Sequence, residues 1–306
     1  MSAKTTLRIG SKKVAVSNLD KVFYPKTGFT KGQVIDYYID IAPLMLPHLK
    51  GRPVTLKRYP DGVAGGYFYE KQCPSHAPEW IQTTDVEKSN GEIIHYCVID
   101  SRPALVWAAN IANLEFHTFL HRGKTLQRPD SLVFDLDPGD GADILQCCQV
   151  GLWIKGLFEA MNLQSFVKTS GFKGLQLTVP LNTATDYSKI KAFALGVAEA
   201  LEQRFPKVVV SKMQKDLRKG KVLVDWSQND DHKTTVCVYS LRAREQPAIA
   251  TPVTWDEVSR ALKSKKREAL YFDPPTVRKR VAKLGDLFAP VLKLRQKLPP
   301  LSSVQI

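Results

Sequence analysis

The sequence predicts an α/β protein of the α+β type, assembled from two modules, and three observations carry that expectation. The chain has 306 residues, of which 43% are hydrophobic, enough for about two ordinary domains or one large fold made of two modules. Short apolar runs alternate with segments of helical periodicity along the whole length, without internal repeats or low-complexity tracts. In the middle of the chain the elements run strand, helix, strand, strand, helix, strand, which is the split βαβ order of ferredoxin-like modules.

The elements follow in order. After SNLDKVFYPKTG, Thr30 stands where a helix cap is needed, and Val34, Tyr37, Ile41 and Leu44 recur at helical spacing through KGQVIDYYIDIAPLML. PVTLKRY, GYFYEKQ and EIIHYCVI read as short strands. RPALVWAANIANLEFH carries a proline near its start and reads as a helix or a helix plus turn. These elements make a first α/β module over residues 1–125. SLVFDLD, bounded by Pro138 and Gly139, is a buried strand opening a second module over residues 126–250. ILQCCQVGLWIKGLFEAM is a helix, SFVKTSGFKGLQLTVPL a strand, glycine turn and strand, and DYSKIKAFALGVAEALEQRF an amphipathic helix. KVLVDWSQND then closes a β-rich run on Asp225, and TWDEVSRALKSKK and VRKRVAKLGDLFAPVLKL make residues 251–306 a basic helical extension.

Composition narrows the function classes. Lys and Arg number 44 against 30 Asp and Glu, a formal net charge of +14, and in a polar chain that surplus points to a polyanionic partner more than to solubility alone. Cys73, Cys97, Cys147, Cys148 and Cys237 form no CxxC pair and no zinc-type Cys/His spacing, so they are expected as free thiols in a reducing compartment. MSAKTTLRIGSKK lacks the apolar run of a signal peptide, and no stretch approaches a membrane span. A cytoplasmic, nucleoid-associated protein with no membrane partner is expected, and nothing resembling a coiled coil argues against a monomer.

The stretch LVFDLDPGDG raises the chemical question. On a strand, Asp135 and Asp137 project from one face, two carboxylates that repel unless a cation lies between them. Mg2+ and Mn2+ suit such a site because hard cations take oxygen ligands. Asp225, at the end of VLVD, is the candidate third carboxylate, since the split fold brings its strand beside the first. Two solvated strand-end aspartates are the bland alternative. In KTSGFKG the glycines permit a tight turn with exposed N–H groups and Lys173 adds a positive charge, chemistry suited to a triphosphate, although an ordinary hairpin turn has the same look. His117 in LEFHTFL, taken alone, reads more readily as a structural histidine than as a site residue. Arg242 and Arg244 in YSLRAR alternate onto one face, as phosphate ligands or as a solvated edge.

The whole set is more specific than its parts. SNLDKVFYP, RPVTLKRYPDG, YFYEKQCPSHAPEW, FDLDPG, TSGFKGLQ, VDWSQND and TTVCVYSLRAR occur in this order. Together they resemble the polymerase domain of the bacterial end-joining repair ligase, in the archaeo-eukaryotic primase superfamily, from about Ser17 to Leu298. The resemblance implies an archaeo-eukaryotic primase fold, with an N-terminal α/β module and an RRM-like (ferredoxin-like) catalytic module. It implies that Asp135, Asp137 and Asp225 are the catalytic metal ligands, that Ser170 and Lys173 bind the nucleotide's triphosphate, that His117 lies against the nucleotide, and that Arg242 holds its phosphates. Arg218, in SKMQKDLRKGK, matches a mobile-loop arginine tied to assembly of the active site. Lys21 and Lys31 match a pocket for a DNA 5'-phosphate, Phe68 and Tyr69 an aromatic pair stacking on template bases, and Lys57 and Lys71 residues along the DNA. One departure is Gln176, where the family pattern has histidine, which puts nucleotide affinity, metal preference and sugar choice in doubt.

What the resemblance implies chemically is template-directed, two-metal nucleotidyl transfer with Mn2+ or Mg2+, using NTPs in preference to dNTPs, at DNA gaps or breaks during non-homologous end joining. Ku and a DNA ligase are the implied protein partners, and without a ligase-like segment a stand-alone polymerase is expected. Two rivals use other chemistry. A phosphatase of the haloacid dehalogenase class also carries a DxD loop, but wants Thr or Val where Gly139 stands. A non-catalytic end-binding module recruiting a ligase would need Lys21, Lys31 and Phe68 but not the aspartates. De novo priming would use the same metal site as gap filling.

Overall fold

A computed structural model describes residues 4–88, 90–171 and 173–304. The chain divides into two compact units: residues 1–124 with 234–250 and 272–285, and residues 125–233 with 251–271 and 286–306. The basic region after residue 250 is therefore shared out between the units instead of forming one appendage.

In the first unit, helix Lys31–Leu49 begins at the expected cap. Thr30 accepts the Gln33 backbone N–H while the Gln33 side chain returns to the Thr30 N–H, a reciprocal capping box. Val34, Ile35, Tyr37, Tyr38, Ile41 and Met45 form its buried face, with Leu44 only half-buried. The helix continues through Pro43 and Pro47. Both prolines are exposed and four residues apart, on one solvent-facing side of the helix. Tyr37 and Tyr38 donate from the core to the carbonyls of Tyr239 and Leu114 at 2.8 and 2.6 Å.

The sheet of this unit runs in the spatial order Thr235–Val236, Asn113–Thr118, Pro53–Arg58, Ile93–Val98 and Gln82–Glu87, with Phe68–Glu70 also paired to Pro53–Arg58. The segment read as a helix or helix plus turn is helical only over Arg102–Asn110. Ala112 then takes a left-handed φ of 67°, and NLEFHT, whose alternation fits a strand, joins the sheet. Cys73 and Cys97 correct the expectation of five free thiols, because they form a disulfide with a Cα–Cα distance of 5.0 Å. The Cys73 N–H bonds the His95 carbonyl, so backbone pairing against strand Ile93–Val98 brings together thiols that lie far apart in sequence.

In the second unit the sheet order is Val209–Val210, Val222–Asp225, Ser131–Pro138, Leu175–Pro180, Phe166–Thr169 and Pro252–Val253. Its four middle strands are fourth, first, third and second in chain order and pair antiparallel, the arrangement of a split βαβ module. Helix Ile144–Ala160 follows the first strand, capped by a box between Asp143 and Gln146. Helix Tyr187–Arg204 follows the third strand, capped by Asp186. No helix among the described residues is long and apolar enough to cross a membrane.

Candidate active site

The second unit brings the three aspartates onto one sheet. Along Ser131–Pro138 the side chains alternate, with Leu132, Phe134 and Leu136 buried, Asp135 half-buried and Asp137 exposed. Asp135 stands directly opposite Asp225 on one neighbouring strand and Gln176 on the other, and Gln176 stands opposite Lys168. Directly opposed residues share a face. Lys168, Gln176, Asp135 and Asp225 thus form one row across four strands, with Asp137 two residues along. Lys168 and Gln176 are both buried, and Lys168 was not singled out in the sequence because only the cross-strand register sets it in line with Asp135.

The VDWSQND segment explains how Asp225 is held. Its Oδ1 accepts the Ser227 N–H at 2.9 Å and the Ser227 hydroxyl at 2.7 Å, and its Oδ2 accepts Gln228 Nε2 at 2.9 Å. Strand Val222–Asp225 ends there, and the Asn229 side chain takes over as partner of the aspartate strand. Asn229 Oδ1 accepts the Val133 N–H at 2.9 Å, and its Nδ2 donates to the Val133 carbonyl at 2.7 Å. Ser227, Gln228 and Asn229 are supporting residues that the motif contained but that sequence reasoning did not separate from Asp225.

The KTSGFKG turn closes on itself beside the aspartates. Ser170 donates its N–H to the Gly174 carbonyl at 3.0 Å and accepts the Gly174 N–H on its hydroxyl at 3.2 Å. Lys173 is exposed, and Phe172 of this turn lies outside the described residues. A Cβ added at Gly174 would fall 3.6 Å from Asp137 Oδ1 and inside contact distance of the Leu136 carbonyl oxygen. That close approach is why the position takes glycine. Gly139 is likewise pressed against the Arg218 backbone, and Gly220 donates its N–H to the Asp140 carbonyl at 2.7 Å. The basic loop carrying Arg218 therefore packs on the DPGDG turn, with the guanidinium hydrogen-bonded to the Met213 carbonyl.

Three carboxylates on one face make an all-oxygen donor set of the kind Mg2+ and Mn2+ take, so the residues fit such an ion. The charge is felt nearby: burial first, then Cys148, Asp137 and Asp135, push the Cys147 thiol well above its ordinary range. Asp230, Asp231 and His232 bring potential ligand atoms within 4.8 Å of one another. Asp230 is already ion-paired with Lys191, and the group reads as a polar turn.

The first unit holds a second cluster, built around a residue absent from the sequence expectations. Glu115 and His117 project from the same face of Asn113–Thr118, and Glu115 lies opposite Lys57, which itself lies opposite Tyr69. Glu115 Oε2 meets His117 Nε2 at 2.9 Å and Arg242 Nε at 3.4 Å. Its Oε1 accepts the Ala243 N–H at 3.0 Å and lies 3.7 Å from Lys57 Nζ. Burial alone would raise the Glu115 carboxyl, but His117, Arg242 and Lys57 bring it down to about 2. Burial lowers His117 and Lys57 from their ordinary values, and Glu115 opposes both shifts.

Lys57 Nζ sits over the rings of Tyr67, Tyr69 and Tyr59 at 4.2, 5.3 and 5.4 Å. Phe68 is 43% and Tyr69 52% exposed, joined by Tyr67 at 55%. Core packing is thereby ruled out for the pair, and Tyr67 is added to the surface. Arg58 lies over the Phe68 ring at 5.1 Å, and Lys71 is exposed at the end of the same segment. Lys21 and Lys31 are adjacent, the Lys31 N–H donating to the Lys21 carbonyl at 2.8 Å. Lys21 pairs with exposed Asp61 at 2.8 Å. Lys31 is buried and donates to the Ser17 carbonyl at 2.6 Å. Burial, then Lys21, lower its ammonium to about 8.

Residues 30–288 match the family model described as LigD, primase-polymerase domain. The chain is 42% identical over 281 residues to the multifunctional non-homologous end joining protein LigD of Mycolicibacterium smegmatis, covering 91% of this chain and 36% of that protein. It is 34% identical over 251 residues to the bifunctional non-homologous end joining protein LigD of Bacillus subtilis, covering 82% and 40%. The chain thus spans well under half the length of these relatives. Among solved structures, the polymerase domain of Mycobacterium tuberculosis Ligase D in complex with DNA superposes with a TM-score of 0.85 at 38% identity, covering 92% of this chain and 99% of that one.

Proposed function

Because the chain belongs to the LigD primase-polymerase domain family, a family of nucleotidyltransferases, we propose that it extends a primer 3'-hydroxyl opposite a DNA template, filling gaps at breaks mended by end joining and preferring NTPs. The observation that carries this reading is the direct opposition of Asp135 and Asp225, with Asp137 two residues along the same strand.

Asp135, Asp137 and Asp225 would hold Mn2+ or Mg2+. When bound, such ions supply Lewis-acid activation of the attacking hydroxyl and neutralise charge on the leaving pyrophosphate. The protein's own part is positioning, since phosphoryl transfer needs little covalent chemistry from side chains. Ser227, Gln228 and Asn229 keep Asp225 and the aspartate strand in register. In the second unit, Ser170 and Lys173 are the proposed triphosphate ligands, and Arg218 the loop arginine proposed to complete the nucleotide site. In the first unit, His117 is proposed to lie against the nucleotide and Arg242 to hold its phosphates, with Lys21 and Lys31 meeting the DNA 5'-phosphate. Tyr67, Phe68 and Tyr69 offer π-faces that any base can stack on, with Lys57 and Lys71 along the strand, which suits recognition without sequence preference. Ku and a DNA ligase are the proposed partners, given the end-joining proteins to which the chain is similar.

The test is primer extension across a gap with and without a 5'-phosphate, comparing NTPs with dNTPs and Mn2+ with Mg2+. Ribonucleotide addition that weakens without the 5'-phosphate supports the reading. Tight DNA binding with no addition under any condition overturns it.

A further inference from the structure

Glu115 takes no part in the roles assigned above, yet it is 1% exposed and three charged or titratable side chains, His117, Arg242 and Lys57, converge on it. It contacts groups from three strands: His117 on its own, Lys57 on Pro53–Arg58, and Arg242 with the Ala243 N–H at Leu241–Arg242. The Tyr59 hydroxyl approaches the same oxygen as the Ala243 N–H, at 3.5 Å. One cation would neutralise a buried carboxylate. Here Arg242, Lys57 and an imidazole surround a single negative charge, so the cluster keeps a positive excess that favours a further anion.

The geometry also fixes what each group can offer. With its Nε2–H given to Glu115, the imidazole of His117 is fixed in orientation, and its Nδ1 can donate to an anion only in the protonated form. Arg242 lies beside Glu115 as an ion pair, Nε to Oε2 at 3.4 Å, which holds its charge next to the carboxylate. Lys57 is bracketed by Glu115 and the three tyrosine rings. We propose that Glu115 is a positioning residue for nucleotide binding, whose carboxylate holds His117 and Arg242 as one preorganised pair for a nucleoside triphosphate. This rests on the reading of His117 and Arg242 as nucleotide-binding residues.

The experiment compares Glu115→Gln, Glu115→Asp and Arg242→Ala with the parent chain in primer extension, reading KM for NTP, kcat, affinity for gapped DNA and melting temperature. Glu115→Gln is expected to raise KM for NTP by roughly 10- to 100-fold, with DNA affinity and kcat changed much less. Glu115→Asp, which keeps the charge but retracts it, falls between. An unchanged KM for NTP in folded Glu115→Gln overturns the proposal, as does a parallel loss of DNA affinity, kcat and melting temperature, which marks a purely structural ion pair. Should Glu115→Gln not fold, Glu115→Asp decides: raised KM at the parent melting temperature supports the proposal, and parent KM overturns it. Arg242→Ala separates the two levels. If it leaves KM for NTP unchanged, the underlying site reading fails; if it raises KM while Glu115→Gln does not, only the role of Glu115 fails.

Discussion

Asn229→Ala tests whether the metal carboxylates depend on a side chain standing in for a strand. Asn229 is fully buried and makes both backbone hydrogen bonds of Val133, at 2.9 and 2.7 Å, two residues before Asp135. Val133 is itself buried, so alanine strands a donor and an acceptor together. Each stranded group costs about 1–3 kcal/mol, and relaxation or entry of water recovers part of that. A net loss of about 3 kcal/mol is expected, which for a unit of this size lowers the melting temperature by roughly 6–12 °C. Asn229→Asp keeps the acceptor for the Val133 N–H and loses the donor to its carbonyl, so it should destabilise as well but differ in pattern. Assayed well below the new melting temperature, Asn229→Ala should also need more Mn2+ for half-maximal extension, because Asp135 and Asp225 lose a shared brace. Thermal melting together with a metal titration of primer extension checks both. Stability within about 0.5 kcal/mol of the parent, the range of an inert surface change, would refute the reasoning that Asn229 completes the sheet.

Asp137→Ala should abolish extension while leaving affinity for gapped DNA close to the parent's, measured by extension and by fluorescence anisotropy; retained synthesis sinks the metal assignment. Gly174→Ala drives a Cβ against the Leu136 carbonyl, inside the 3.0 Å that real Cβ atoms keep. The resulting shift of the strand beside Asp137 should cost about 10²-fold in kcat. The preference for a 5'-phosphate should fade as pH rises through about 8, since Lys31 is charged below that value and neutral above it; a preference unchanged from pH 7 to 9.5 excludes Lys31 as its source. Replacing Phe68 and Tyr69 together with alanine should weaken binding to DNA by about 1–3 kcal/mol for each base unstacked, equally for different template sequences, while the melting temperature stays put because both rings are exposed.

Much of the second unit was legible because its signals are local. The apolar run ending in FDLD, the helical periodicity of the two helix segments and the glycines of KTSGFKG each report on neighbours a few residues away. The strand order then follows from the split βαβ pattern, which is why Asp225 was identified as the partner of Asp135 before its register was known. The first unit was less legible. LEFH is ambiguous until Ala112 breaks the helix, and the disulfide between Cys73 and Cys97 has no spacing signature.

What the sequence determined by itself was the family, the order of elements and the acidic, glycine-bearing motifs, because period, capping and turn chemistry are set by side chains close in the chain. What only the tertiary structure decided was which distant groups share a face or a charge. The row from Lys168 through Gln176 and Asp135 to Asp225 depends on cross-strand register, and a slip of one residue would turn those side chains to the opposite face. Glu115 looks in the sequence like one acid among thirty. Next to His117, Arg242 and Lys57 its carboxyl is held well below the usual range despite burial, because Coulomb interactions are strong where water is excluded and weak where it is not.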